Sequence, residues 1–150
     1  MAIVTWRSTM RDGFDMLVAA VASAVGHRLD VNKFNDRLTM QKGCYILNSW
    51  GYGPVYDYGL YIRGPYSREL ADDYYEIKSI PAMTTIPAEA IDNLKAIFDK
   101  GIGYAEAYAT VLLIKRNSVN AEPEKILSRA LELKPHLKSE VREACASLMN

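Results

Sequence analysis

Apolar positions recur at three- and four-residue intervals along most of this chain, the spacing of one face of an α-helix. The first such run covers residues 12–25; it is rich in alanine and closed by Gly26. A second starts near Asn32, a residue suited to capping a helix start, and runs to Trp50 before Gly51. The pattern then changes: residues 51–54 read as a turn, and residues 55–62 (VYDYGLYI) as a strand, because β-branched and aromatic residues dominate them. Gly59 inside that strand predicts a bulge or a close backbone approach. Arg63-Gly64-Pro65-Tyr66-Ser67 predicts a tight turn that feeds a helix over residues 68–78. Pro65 presets φ there, and Ser67 can accept from the next free N–H groups. Residues 79–86 read as a loop with room for a short strand, and helical spacing returns over 88–100, 103–116, 123–133 and 137–149. The expected fold is mainly α (α+β), a single domain over 1–150 of six to seven helices with a small β element and a winged-helix-like N-terminal half.

Two helices carry the most informative faces. On a wheel of about 100° per residue, Phe34, Leu38, Met40, Cys44, Tyr45 and Leu47 share a broad apolar arc with Arg37, Gln41 and Asn48 in its middle. Ile46 and Trp50 lie on the other side, so this helix should be contacted nearly all round. A buried amide without a partner costs about 1–3 kcal/mol. Gln41 and Asn48 should therefore cap backbone groups of the neighbouring strand, or else floor a groove that recognises a peptide or another ligand. In the helix after the Gly-Pro turn, Leu70, Ala71, Tyr74 and Ile77 face one way. Glu69, Asp72, Asp73 and Glu76 face the other, as a solvated acidic surface or a dock for a basic partner.

Composition changes the picture only by exclusion. A chain of 150 residues, 49% hydrophobic and 24% charged, can bury a core without disulfides or metals. Its 18 basic residues balance 18 acidic ones, so no global field attracts nucleic acid or an anionic membrane. Cys44 and Cys145 read as buried free thiols of a reducing compartment. The N-terminal stretch lacks the apolar core of a signal peptide, and the apolar run from Met16 to Val25 is too short to span a bilayer. A cytoplasmic protein is expected.

No motif names a reaction. Gly51-Tyr52-Gly53-Pro54 lacks the ending of a phosphate loop, and Pro54 removes a donor that such a cradle needs. His27 and His136 have no partners at metal spacing, Cys44 has no base nearby, and Asp72 and Asp73 diverge around their helix. Neither a metal nor a cofactor is expected. What stands out is aromatic: eight of the ten tyrosines fall between Arg37 and Ile77. Tyr61, Arg63, Tyr66 and Arg68 surround the rigid turn, and Tyr and Arg dominate binding hot spots. The plainer expectation is that Arg63 pairs with an acid such as Asp72 while the tyrosines pad the strand–helix junction.

The same residues carry a resemblance. Arg37-Leu38-x-x-Gln41-Lys42, then Tyr45-x-Leu47, a Tyr-rich strand, and Arg63-Gly64-Pro65-Tyr66-Ser67 with Leu70 resemble the YwgA-like family of bacteria and archaea. More distantly they are similar to the Panacea antitoxin domain, in which a helix reading LQK-L-Y precedes a YGP turn. The resemblance covers about half the chain, and the RGPYS-x-x-L turn is its most specific part. Met40 and Gly43 stand where leucines are usual, and Arg-Gly-Pro stands where Panacea members more often have Tyr-Gly-Pro. The resemblance implies a mostly helical domain with a small β element. From the Panacea side it also implies neutralisation of toxins by direct protein contact.

These readings converge on a non-enzymatic protein-interaction module, antitoxin-like or adaptor-like, with a protein partner such as a toxin. Its candidate binding residues are Arg37, Gln41, Lys42, Tyr45, Tyr61, Arg63, Tyr66, Arg68 and Asp72. The alternative is a winged-helix-like DNA-binding regulator, with segments 55–62 and 80–86 as the wing and Lys33, Arg37 and Lys42 as its basic cluster. The neutral charge and the acidic helix face argue against it. An enzyme would need Arg63, Tyr66 and Asp72 to converge on one cavity.

Overall fold

The computed structural model describes residues 6–77 and 83–149. Within them lie seven helices and one hairpin, in the order α1 (Trp6–Val25), α2 (Phe34–Ser49), β1 (Gly59–Tyr61), β2 (Gly64–Tyr66), α3 (Arg68–Glu76), α4 (Ala88–Asp99), α5 (Ile102–Asn117), α6 (Pro123–Leu133) and α7 (Lys138–Met149). The mainly α architecture expected from periodicity is what the chain adopts. No described helix is long and apolar enough to cross a membrane.

One hydrophobic core draws side chains from all seven helices, and Cys44 and Cys145 lie in it as free thiols. At its centre α5 packs against α2, α4, α6, α7 and β2. Ala105, Ala107 and Ala109 are small enough to let those neighbours approach from several sides. Helix α2 is equally enclosed, with every residue from Thr39 to Asn48 buried, as the wheel anticipated. Gly43 shows why a leucine is absent there: a Cβ would sit 2.7 Å from Val21 Cγ2 on α1, and a β-branched neighbour has little freedom to yield.

Several local expectations need correction. Helix α1 begins at Trp6 rather than near Asp12. Helix α2 begins at Phe34 with Lys33 in the cap position and no side-chain cap, so Asn32 does not serve. The approach is organised by carboxylates instead: Asp36 accepts from the Asp30 N–H at 2.8 Å, and Asp30 accepts from the Asn32 N–H at 2.9 Å. The strand shrinks to Gly59–Tyr61, and its partner is the Gly-Pro segment read as a turn, with Gly59 opposite Tyr66, Leu60 opposite Pro65 and Tyr61 opposite Gly64. The turn is Ile62-Arg63. A two-residue turn makes Tyr61–Gly64 the hydrogen-bonded closing pair, so alternation leaves Pro65 where no N–H is needed. Of the second expected wing segment, residues 80–82 lie outside the described residues and 83–86 form no strand.

Polar side chains fix the hairpin to the helices. The Gln41 amide makes two hydrogen bonds to one buried residue: Nε2 donates to the Ser67 carbonyl at 2.9 Å, and Oε1 accepts from the Ser67 N–H at 2.8 Å. Asn48 donates to the carbonyls of Tyr52 and Pro54 and accepts from the Tyr58 hydroxyl. Both amides thus cap backbone, as the polar stripe suggested, but the groups they cap belong to the Ser67 helix cap and the 52–54 turn and not to a strand. Ser67 caps α3 by accepting from the Leu70 N–H at 3.2 Å. Asp73, read as part of the solvated acidic face, is fully buried and accepts from the Tyr56 hydroxyl at 2.6 Å. The local wheel could not show that the 52–58 loop folds over α3.

Gln41→Ala strips both partners from the buried Ser67 backbone, and each group left unsatisfied costs about 1–3 kcal/mol. Urea denaturation should show a loss of about 2–5 kcal/mol. Gln41→Glu should not rescue it, because a carboxylate cannot donate to the Ser67 carbonyl. A loss well under 1 kcal/mol, or about none, would contradict this anchoring role.

Candidate functional site

The nine residues singled out from sequence separate into an exposed corner and a buried layer beneath it. At the corner, the Phe34 ring at the start of α2 is 52% exposed, although the wheel placed it in the apolar arc. Two guanidinium groups lie over it, Arg37 at 5.8 Å and Arg63 at 5.6 Å from the ring centroid. Arg37 is held in place by donating to the Val31 carbonyl at 2.8 Å. Arg63 therefore stacks on an aromatic ring, and among the described residues it forms no ion pair with Asp72. Ile62 and Tyr61, which precede it in the hairpin, are 84% and 61% exposed. Tyr66 meets Tyr61 edge to face, ring centroids 5.4 Å apart. Arg68 and Asp72 are exposed on α3.

Gln41, Lys42 and Tyr45 do not belong to a surface: each is only 1% exposed. Gln41 is spent on Ser67. Lys42 lies in a charge cluster that the sequence did not reveal, with Glu106 of α5 and Lys134 at the end of α6. Lys134, also 1% exposed, donates from Nζ to the Tyr61 carbonyl at 3.3 Å and to the Ile62 carbonyl, and its Nζ stands 3.5 Å from Glu106 Oε2. His136 Nε2 lies 3.7 Å from the same oxygen. Helix α6 ends at Lys134 because Pro135 follows, and that end turns the long side chain under the hairpin tip. Gly64 completes the seat: its φ is +97°, and a Cβ would stand 3.2 Å from Thr110 Oγ1 and 3.3 Å from Glu106 Cγ. A lone Glu inside the apolar run YAEAYATVLLI was the one sequence signal for this cluster, since a carboxylate is rarely buried without a cation.

The cluster holds more positive than negative charge. Burial pushes the Lys42 ammonium down to about 8; Glu106 opposes that shift, while Lys134 and Arg63 reinforce it. Lys134 is lowered as well, by burial first. A cavity of about 390 Å3 borders this layer, lined by Leu60, Tyr61, Ile62, Leu133 and Lys134. Its one charged group is Lys134, already engaged by two carbonyls and a carboxylate, so this layer positions the hairpin. Arg63, Tyr66 and Asp72 line no common cavity among those bordered by described residues. No group of His, Cys, Asp and Glu among the described residues could hold a metal ion.

Tyr45 is packed edge to face on Tyr58, centroids 4.8 Å apart. Its hydroxyl is buried with no hydrogen-bond partner among the described residues, an arrangement that costs about 1–3 kcal/mol. Burial pushes its pKa up to about 12, against the opposing charge of Arg116.

Lys42 and Lys134 should respond oppositely to neutral replacement. Lys42→Met removes a buried cation that lacks a hydrogen bond among the described residues, and should stabilise the protein by about 1–3 kcal/mol at pH 7. Lys42 binds its proton less tightly when folded, so the wild type regains stability as pH rises from about 8 toward the unfolded value of 10.5. The advantage of Lys42→Met should shrink over that window. Lys134→Met leaves two carbonyls and Glu106 without their donor and should cost about 2–4 kcal/mol. Urea titrations at pH 7 and pH 9.5 check both, and equal effects of the two variants would overturn the distinction.

The chain matches no family model, no curated protein and no solved structure.

Proposed function

We propose that this chain is a non-enzymatic protein-interaction module, of toxin-neutralising or adaptor type, whose contact face is the hairpin tip together with the Phe34 corner. The observation that carries this reading is the exposed Phe34 ring beneath the guanidinium groups of Arg37 and Arg63, beside exposed Tyr61 and Ile62. Aromatic and arginine side chains concentrate binding energy at protein interfaces. Here they sit on backbone held from below by Lys134 and Gln41, so a partner would find them already ordered. Arg68 and Tyr66 border this face, and Asp72 lies outside its apolar centre.

DNA recognition is the weaker reading. Helix α3, which would have to approach phosphates, exposes Glu69, Asp72 and Glu76. The hairpin is a six-residue local turn, short for a wing that grips a groove.

Affinity capture from the native host tests the proposal, with wild type compared against Phe34→Ala and Arg63→Ala, all three checked for folding. A protein retained by wild type and reduced about tenfold or more by either variant supports it. Arg129→Ala on α6 should leave that capture unchanged. Retention of the same proteins by all four, or binding of duplex DNA with a slope of several phosphates against salt, would refute it.

A further inference from the structure

We infer that the groove between the C-terminal ends of α2 and α5 is a binding site for a small organic anion, an apolar body ending in a carboxylate or phosphate. A cavity of about 660 Å3 opens there, bordered by Tyr45, Val55, Leu112, Arg116 and Val119 among others. A smaller one of about 160 Å3 shares Tyr45 and Arg116 and adds Asp57 and Asn117. The larger volume is in the range of small-molecule sites, about 300–1,000 Å3. None of these residues belongs to the Phe34–Arg63 face, so the inference stands apart from the interaction reading.

The polar atoms left over in this groove define the ligand. The Tyr45 hydroxyl is buried and has no partner among the described residues, where phenylalanine would fill the same space without an orphaned group. Arg116 borders both cavities together with Tyr45, and its charge acts on that hydroxyl. Arg116 is exposed and forms no ion pair among the described residues. Its polar neighbours are engaged, Lys115 in part and Asn48 fully. Lys115 Nζ donates to the Leu148 carbonyl at 3.2 Å, and the Asn48 amide is consumed by Tyr52, Pro54 and Tyr58.

Beside the N–H groups that Lys115 keeps, a phenol and a planar guanidinium fork are left without partners among the described residues. That pair recognises a carboxylate or phosphate, the guanidinium supplying two parallel N–H bonds. The apolar part of the ligand is set by Val55 and Val119, both largely exposed, and by half-buried Leu112. No carboxylate of the described residues borders the larger cavity. Asp57 borders only the smaller one and pairs with no cation among the described residues, so the anion approaches from the larger side.

Titration of the 15N-labelled protein with benzoate, phenyl phosphate and benzyl alcohol at fixed ionic strength tests the site. Benzoate, phenyl phosphate or both should shift amide resonances of residues 45–58 and 112–119 saturably, and which one binds tells carboxylate from phosphate. Neutral benzyl alcohol should bind about tenfold more weakly or worse. Arg116→Gln should weaken the anion about tenfold, and Tyr45→Phe at least about threefold. Tyr45→Phe should melt no lower than wild type, which separates a lost ligand contact from a damaged fold. The proposal fails if neither anion gives saturable shifts, if benzyl alcohol binds as well, or if both variants bind like wild type. Should Arg116→Gln not fold, unchanged affinity in Tyr45→Phe overturns it.

Discussion

A hairpin of two three-residue strands has too few hydrogen bonds to hold its own shape in water, and in this protein it packs against α2 and α5. Side chains from the helices supply what the strands lack. Gln41 of α2 takes both backbone groups of Ser67 at the base, and Lys134 at the end of α6 takes the carbonyls of Tyr61 and Ile62 at the tip. Between them Gly64 brings the strand against α5, where any Cβ would crowd Thr110 and Glu106. The exposed corner depends on all three, because Arg63 reaches Phe34 only while the turn that carries it is held in place.

Holding a tip through a buried ammonium has a cost. Lys134 pairs with Glu106, and Lys42 lies in the field of the same carboxylate, in a layer from which water is largely excluded. Replacing such groups by hydrocarbon is often neutral or favourable for stability alone. The value of Lys134 is geometric: its ammonium meets two carbonyls and a carboxylate at once, whereas an apolar side chain would leave the turn free to shift. The surplus charge is also felt by Arg63 at the surface, which finds an aromatic ring instead of an acid.

Helix positions were legible because the repeat that buries one helix face is written along the chain itself. The starts of α4 and α6 and the ends of α6 and α7 fall where that repeat placed them. The caps of Gln41 and Asn48 were legible for a related reason, since an amide in an apolar arc must find a partner. Phe34 and Asp73 went the other way. The wheel buried Phe34 and exposed Asp73, but the 52–58 loop covers one side of α3 and brings Tyr56 to Asp73, while nothing among the described residues covers the Phe34 corner fully. Which side of a helix meets a loop is decided by chain entropy and packing over long separations, and no local repeat carries it.

By itself, then, the sequence determined a mainly helical fold of six to seven helices, the small β element between the second and third, and the aromatic-rich segment that becomes the exposed corner. These follow from periodicity, turn chemistry and composition, all of them local. Only the tertiary structure decided that Gly64-Pro65-Tyr66 is a strand and that Lys42, Tyr45 and Gln41 are interior. It also decided that Glu106, Lys134 and His136 gather beneath the tip and that Tyr45 and Arg116 share a groove. Apart from the hairpin pairing, which is local, those outcomes join residues tens of positions apart, and burial sets their energies only once the helices have packed.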